Sequence, residues 1–145
     1  MKKLILISFI ACGLLIACHS AKKTTTANGA DTTVLAGTWQ LSYVAGSSTS
    51  FDSLYVHKKP TISFDLTAKR VSGNSGCNSF NGPLNVSGHK ISFAGLMAMT
   101  KMFCPGDGEN VFMSNLQKVN SWSVSDGKTL TFIAGDIAIM RFEKQ

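Results

Sequence analysis

From Leu35 onward the chain alternates apolar and polar residues with a period of two. Trp39, Leu41 and Tyr43 share one face of a predicted strand, with Thr38, Gln40 and Ser42 on the other. Ile62, Phe64 and Leu66 alternate with Thr61, Ser63 and Asp65 in the same way, and Leu84 with Val86, Ile91 with Phe93, Trp122 with Val124 and Leu130 with Phe132 repeat the scheme. Strands with one apolar face belong to an antiparallel sheet that covers a single core. Asp126-Gly127 predicts a tight hairpin turn, and Gly88 and Gly135 mark further turns. Ile137 to Phe142 is apolar on both faces, with Ala138, Met140 and Phe142 alternating with Ile137, Ile139 and Arg141, which predicts a central strand.

One segment departs from this period. Between Glu109 and Val119, Phe112, Leu116 and Val119 recur at helical spacing with Met113 beside them. Asp107 suits the N-cap, and Glu109 and Lys118 suit the two ends of the helix dipole. The pattern predicts one helix of about three turns. The fold class is therefore mainly β (α+β), a strongly bent antiparallel sheet or small partial barrel with one packed helix. A domain spanning 35–145 is long enough for one core and too short for two. Gly46 to Pro60 carries no clear period and is the expected irregular excursion.

The densest turn chemistry lies at Gly73-Asn74-Ser75-Gly76-Cys77-Asn78-Ser79-Phe80-Asn81-Gly82-Pro83, with three glycines and three asparagines in eleven residues. Both residue types tolerate positive φ, so this density marks a backbone forced through tight turns. Cys77 and Phe80 favour burial, which distinguishes an ordered corner from a loose loop. Asn78 is the polar residue best placed to satisfy buried backbone groups through its side-chain amide. A binding rim is expected here, at Asn74, Asn78, Phe80 and Asn81, together with the loop after Cys104.

The N-terminus reads as an address. Met1-Lys2-Lys3 and the apolar run Leu4 to Ala17 form a signal peptide over 1–17, too short for a comfortable membrane span. Leu15-Ile16-Ala17-Cys18 resembles a bacterial lipobox, which makes Cys18 the lipidated mature N-terminus. Residues 18–34 form a flexible tether from that cysteine; they are rich in Thr, Ala and Lys, and His19 to Val34 would reach roughly 20–24 Å. His19 and Ser20 suit sorting to the outer membrane, facing the periplasm. Loss of residues 1–17 takes the formal charge from +6 to +4 by removing Lys2 and Lys3. The remaining charges are scattered, so no nucleic-acid partner is expected.

Four cysteines occur. With Cys12 in the signal peptide and Cys18 acylated, Cys77 and Cys104 remain as a pair in an oxidising compartment, and a disulfide is the preferred reading. The chain-entropy model values such a loop at about 3.5 kcal/mol. A catalytic cysteine is the rival, but the sequence places neither His57 nor His89 beside one. Met97, Met99 and Met102 with Cys104 suggest soft copper ligands. In an extended strand they do not share a face, so core packing is favoured and no metal or cofactor is expected. No nucleophile elbow, P-loop or zinc-protease helix is present, so no catalytic residue is assigned.

Gly76-Cys77-Asn78 with Phe80 and Gly82, Thr100-Lys101-Met102-Phe103-Cys104, and Glu109 with Phe112 and Leu116 together resemble the META domain, the family of the heat-shock lipoprotein HslJ. Trp39-Gln40-Leu41 and Leu130-Thr131-Phe132 fit the same pattern, and the resemblance runs from about Leu35 to Phe142. It implies a non-enzymatic, lipid-anchored envelope domain that supports envelope integrity and stress tolerance through an envelope protein partner. The alternative is a pilotin-like or carrier protein holding an acyl chain or apolar peptide in a barrel groove.

Overall fold

The computed structural model describes residues 30–145, apart from Leu96. The signal peptide, Cys18 and most of the tether lie outside the described residues. Among the described residues, regular structure starts slightly ahead of the apolar pattern. Asp31 accepts a hydrogen bond from the Thr33 backbone N–H at 3.0 Å and starts a 3-10 turn over Thr32–Leu35, which ends on the fully buried Leu35. The Trp39 indole then donates to the Leu35 carbonyl at 2.8 Å and fixes this turn to the core.

Ten strands follow: β1 (Gly37–Val44), β2 (Thr61–Asp65), β3 (Arg70–Asn74), β4 (Ser79–Pro83), β5 (Asn85–Ser87), β6 (Lys90–Ser92), β7 (Ala98–Met99), β8 (Ser121–Ser125), β9 (Thr129–Ala134) and β10 (Ile137–Lys144). They pair antiparallel in one curled half-barrel sheet, in the order β5-β6-β8-β9-β10-β1-β2-β3-β4-β7. The chain's end thus pairs with its beginning, and the apolar β10 is central as its pattern predicts. The expected hairpins are present. Asp126 and Gly127 both take left-handed φ between β8 and β9, with Lys128 N–H donating to the Ser125 carbonyl at 3.0 Å.

Among the described residues, two α-helices interrupt the strands. A single turn, α1 (Phe51–Leu54), sits in the irregular excursion with its N-cap at Ser50. The longer α2 (Gly108–Leu116) is the helix predicted from spacing, and it stops sooner than the pattern suggests. Lys118 and Val119 fold back through three-residue bonds to Asn115 and Leu116 instead of continuing the helix. Asp107 occupies the N-cap without a side-chain bond; its carbonyl accepts from Val111 N–H at 2.9 Å.

Two bulges correct the simple alternation. The β1–β10 register slips between Leu41 and Tyr43, so Tyr43 is 42% exposed and Val44 takes the inward place. The Arg141 guanidinium packs over the Tyr43 ring at 5.5 Å on the outer face. The β10–β9 register slips between Ala138 and Met140, and Ile139 and Met140 are both buried. A bulge adds local twist, which helps curl a sheet this wide around one helix.

The interior is a chain of rings. Phe80 meets Phe112, Phe112 meets Phe142, Phe142 meets Phe132, and Phe132 meets both Phe64 and Phe93, with centroids 5.1–6.5 Å apart. Such pairs add about 0.5–1.5 kcal/mol each beyond the area they bury. Phe112 and Leu116 bring α2 into this layer, and its buried Asn115 donates to the carbonyl of Ala45, just past β1, at 3.0 Å.

Candidate functional site

The Asn- and Gly-rich stretch forms the β3–β4 hairpin, whose last paired residues are Asn74 and Ser79. Its four-residue loop is bonded to itself. Asn74 Oδ1 accepts from Gly76 N–H at 2.9 Å, and Asn74 Nδ2 donates to the Cys77 carbonyl at 3.1 Å. Ser75 N–H donates to the Asn78 carbonyl at 2.8 Å. Gly76 takes φ of 100°, a conformation that favours glycine.

Asn78 is the hub. Its Oδ1 accepts from the Thr100 hydroxyl at 2.7 Å and from Met102 N–H at 2.8 Å. Its Nδ2 lies 3.1 Å from each of the Met102 carbonyl, the Cys104 sulfur and Glu109 Oε1. The sequence expectation that Asn78 satisfies backbone groups is met, and the motif Thr100-x-Met102-x-Cys104 gains a physical reason. Thr100 and Cys104 meet this one amide through their side chains, and Met102 meets it through its backbone. The Thr100 hydroxyl also accepts from Ser79 N–H at 3.1 Å, continuing the β4–β7 pairing.

Cys77 and Cys104 are joined by a disulfide, with Cα atoms 6.0 Å apart. Neither is a free thiol nucleophile. Glu109, in the first turn of α2, completes the corner. Its carboxylate accepts from the Ser75 hydroxyl, from Asn78 N–H at 3.1 Å and from Asn78 Nδ2. Burial pushes the Glu109 carboxyl up, but the bonds from Ser75 and Asn78 outweigh it and hold the group below its ordinary value. A carboxylate so engaged braces the corner and makes a poor proton acceptor.

Tyr55, in the excursion, is the buried residue that periodicity gave no sign of. Its hydroxyl donates to the Gly108 carbonyl at 3.0 Å, and burial pushes its pKa up to about 12. The ring packs against Gly76 and Gly108. A Cβ at Gly108 would come within 2.6 Å of the Leu54 carbonyl oxygen and 3.0 Å of the Tyr55 ring. Three segments distant in sequence are thereby keyed together.

A half-open cleft of about 400 Å³ borders this corner, lined by Tyr55, Val56, His57, Lys58, both cysteines and Glu109 among others. His57, which the sequence does not link to a cysteine, therefore shares a cleft with two. Of the four expected rim residues, Asn81 alone is exposed, accepting from the Arg70 guanidinium at 2.6 Å. Asn74, Asn78 and Phe80 are buried, and the two asparagines serve the corner itself. The exposed apolar residues at this corner are others: Val56 at 72%, Met102 at 60% and Phe103 at 93%. Met102 is thus not core filling, contrary to the sequence expectation; its backbone is what the corner holds. His89 lies elsewhere, against Trp122, with Nδ1 3.1 Å from the Trp122 carbonyl.

The same two motifs, joined here through Asn78, fall within a family match. The META domain model matches residues 32–145. This chain belongs to the META domain family. Two solved structures share the fold of this META domain. One is the NMR structure of a protein from Burkholderia xenovorans, with a TM-score of 0.59 at 21% identity, covering 79% of this chain and 86% of that one. The other is the crystal structure of a DUF4847 family protein from Bacteroides vulgatus, with a TM-score of 0.52 at 15% identity, covering 77% of this chain and 96% of that one. No curated protein matches the chain. The family points to a structural or binding domain. Among the described residues, no helix is long and apolar enough to cross a membrane.

Proposed function

We propose that this META domain is a non-enzymatic binding module of the cell envelope, lipid-anchored through Cys18, that docks a protein partner at the disulfide corner. The observation that carries the proposal is the contrast between a ring-filled interior and an open cleft beside exposed Phe103 and Val56. A carrier needs room among its inward rings, and here those rings contact one another. Exposed large apolar residues beside a cleft mark an interaction surface. The cleft is concave, which suits an inserted side chain better than a flat lipid surface. Lys58 lines it, and Lys101 lines the neighbouring depression with Phe103. The partner's matching surface is therefore apolar with acidic groups. Stress tolerance follows if that partner is an envelope protein whose state the domain stabilises.

A photo-crosslinking residue at Phe103 or Val56 in intact cells should capture the same envelope protein. The same residue at Lys128, in the β8–β9 hairpin, should capture none. A purified partner should then lose affinity about tenfold or more for Phe103→Asp, the loss of one central apolar anchor. Equal capture from all three positions would overturn the docking reading. Saturable stabilisation by lysolipid or fatty acid would favour the carrier instead. The anchor is tested separately: Cys18→Ser should release the protein from membrane fractions, and an unacylated N-terminus on the native protein would end that part of the proposal.

A further inference from the structure

The sulfur atoms of Cys77 and Cys104 and a carboxylate oxygen of Glu109 lie within 4.8 Å of one another. In the disulfide form the sulfurs carry no negative charge and are poor ligands. We infer that, once the disulfide is reduced, Cys77, Cys104 and Glu109 form a binding site for a thiophilic divalent cation of the zinc class. Two thiolates, a carboxylate and a water make a four-ligand set that zinc accepts.

The frame around these ligands does not depend on the sulfur–sulfur bond. Asn78 holds the Met102 backbone by its N–H and its carbonyl, at 2.8 and 3.1 Å, and so keeps the 100–104 segment against the hairpin. Glu109 is oriented by Ser75 and Asn78. With Cα atoms 6.0 Å apart, side-chain rotation is enough to open the sulfurs to the ~3.8 Å spacing of two tetrahedral zinc ligands. The Asn78 amide nitrogen is 3.1 Å from the Cys104 sulfur and 3.1 Å from Glu109 Oε1; with one of its two N–H groups on the Met102 carbonyl, the other supplies an outer hydrogen bond that orients a metal ligand. The cleft gives a cation its way in, and both cysteines and Glu109 line it. The N-terminus of α2 offsets part of the excess negative charge.

The chemistry balances with a dithiol as reductant. A dithiol gives two electrons and two protons to the Cys77–Cys104 bond and becomes a disulfide itself. The cation then displaces both thiol protons and binds the thiolates. Disulfide and metal are thus alternative staples for one corner, the first under oxidising and the second under reducing conditions.

Cobalt(II) alone is the probe, added anaerobically to the full-length chain in detergent after reduction by a phosphine. The reduced protein should bind one cobalt per chain with a sulfur-to-cobalt charge-transfer band in the near ultraviolet, and zinc should displace it. The oxidised protein should show no such band. Glu109→Gln should keep the band and weaken binding about tenfold or more, on the scale seen when a ligand's support is lost. If that variant loses its fold, X-ray absorption on the zinc-loaded wild-type chain decides, with two sulfur neighbours and the remainder oxygen or nitrogen expected. Absence of the band, four sulfur neighbours, or a folded Glu109→Gln variant of unchanged affinity would overturn the inference.

Discussion

Asn78 grips Met102 by both of its backbone groups, accepting from the N–H at 2.8 Å and donating to the carbonyl at 3.1 Å, across 24 residues of sequence. A side-chain amide here replaces a neighbouring strand. It extends the β4–β7 pairing beyond Met99, where the regular ladder ends. Asn78→Ala should therefore cost about 3 kcal/mol, because it removes several bonds and leaves buried groups unpaired. Asn78→Asp keeps the shape but replaces two donors by a charge next to Glu109, so its penalty should grow as pH rises above the carboxylate range. Thermal and denaturant unfolding across pH check both. A loss below about 0.5 kcal/mol for either would mean that the hub does not hold the loop.

The disulfide and the amide grip act on the same two segments, so their contributions should overlap. Reduction, or Cys77→Ser with Cys104→Ser, should lower stability by less than the loop-entropy value of about 3.5 kcal/mol while leaving the native fold. Adding Asn78→Ala to the double cysteine variant should cost more than it does with the disulfide intact. Strict additivity in a double-mutant cycle would argue against this coupling.

Glu109 gives a pH dependence with a defined direction. Its folded-state carboxyl lies below its ordinary value of 4.5, so the unfolded chain takes up that proton first as pH falls. The stability it adds is present above about 4.5 and drains as pH drops through the lower, folded value. Glu109→Gln should flatten the acid side of the stability curve and leave the neutral-to-basic slope alone. An unchanged acid limb would show that another carboxyl dominates.

Tyr55 responds at the other end of the scale. Its pKa is about 12 when folded against 10.0 for the free group, so its stabilising effect is complete below 10 and is lost as pH rises through 12. Ultraviolet titration of a Tyr43→Phe variant isolates it, and a tyrosinate midpoint near 10 in folded protein would contradict the burial described. Tyr55→Phe removes only the bond to Gly108 and should cost about 1 kcal/mol. Gly108→Ala should cost more, since the new Cβ meets the Leu54 carbonyl oxygen at 2.6 Å and backbone cannot yield as a side chain does.

Local pattern was enough for β1, β2, β5, β6 and β8 to β10, the hairpin at Asp126-Gly127, the position of α2 and the pairing of the two cysteines that remain after the N-terminal segment; β3, β4 and β7 lack a clear alternation, and the stretch read as tight turns supplies the end of β3 and the whole of β4. Alternation and helical spacing are properties of neighbouring residues, and each apolar stripe needs the same core. The tertiary structure alone decided which residues break those stripes and which distant groups meet. A one-residue bulge after Leu41 turns Tyr43 outward and Val44 inward, because side chains swap faces with every residue of slip. Tyr55 is buried from a segment with no period because Gly76 and Gly108 leave room for its ring. Glu109 suits a helix N-terminus on sequence grounds, yet what it braces is Ser75 and Asn78, more than thirty residues earlier. Phe103 is an aromatic that sequence statistics would bury, and it stands in solvent because Asn78 holds the backbone on one side of it and the disulfide on the other. Such contacts close long loops, and chain closure leaves no trace in the local order of polar and apolar residues.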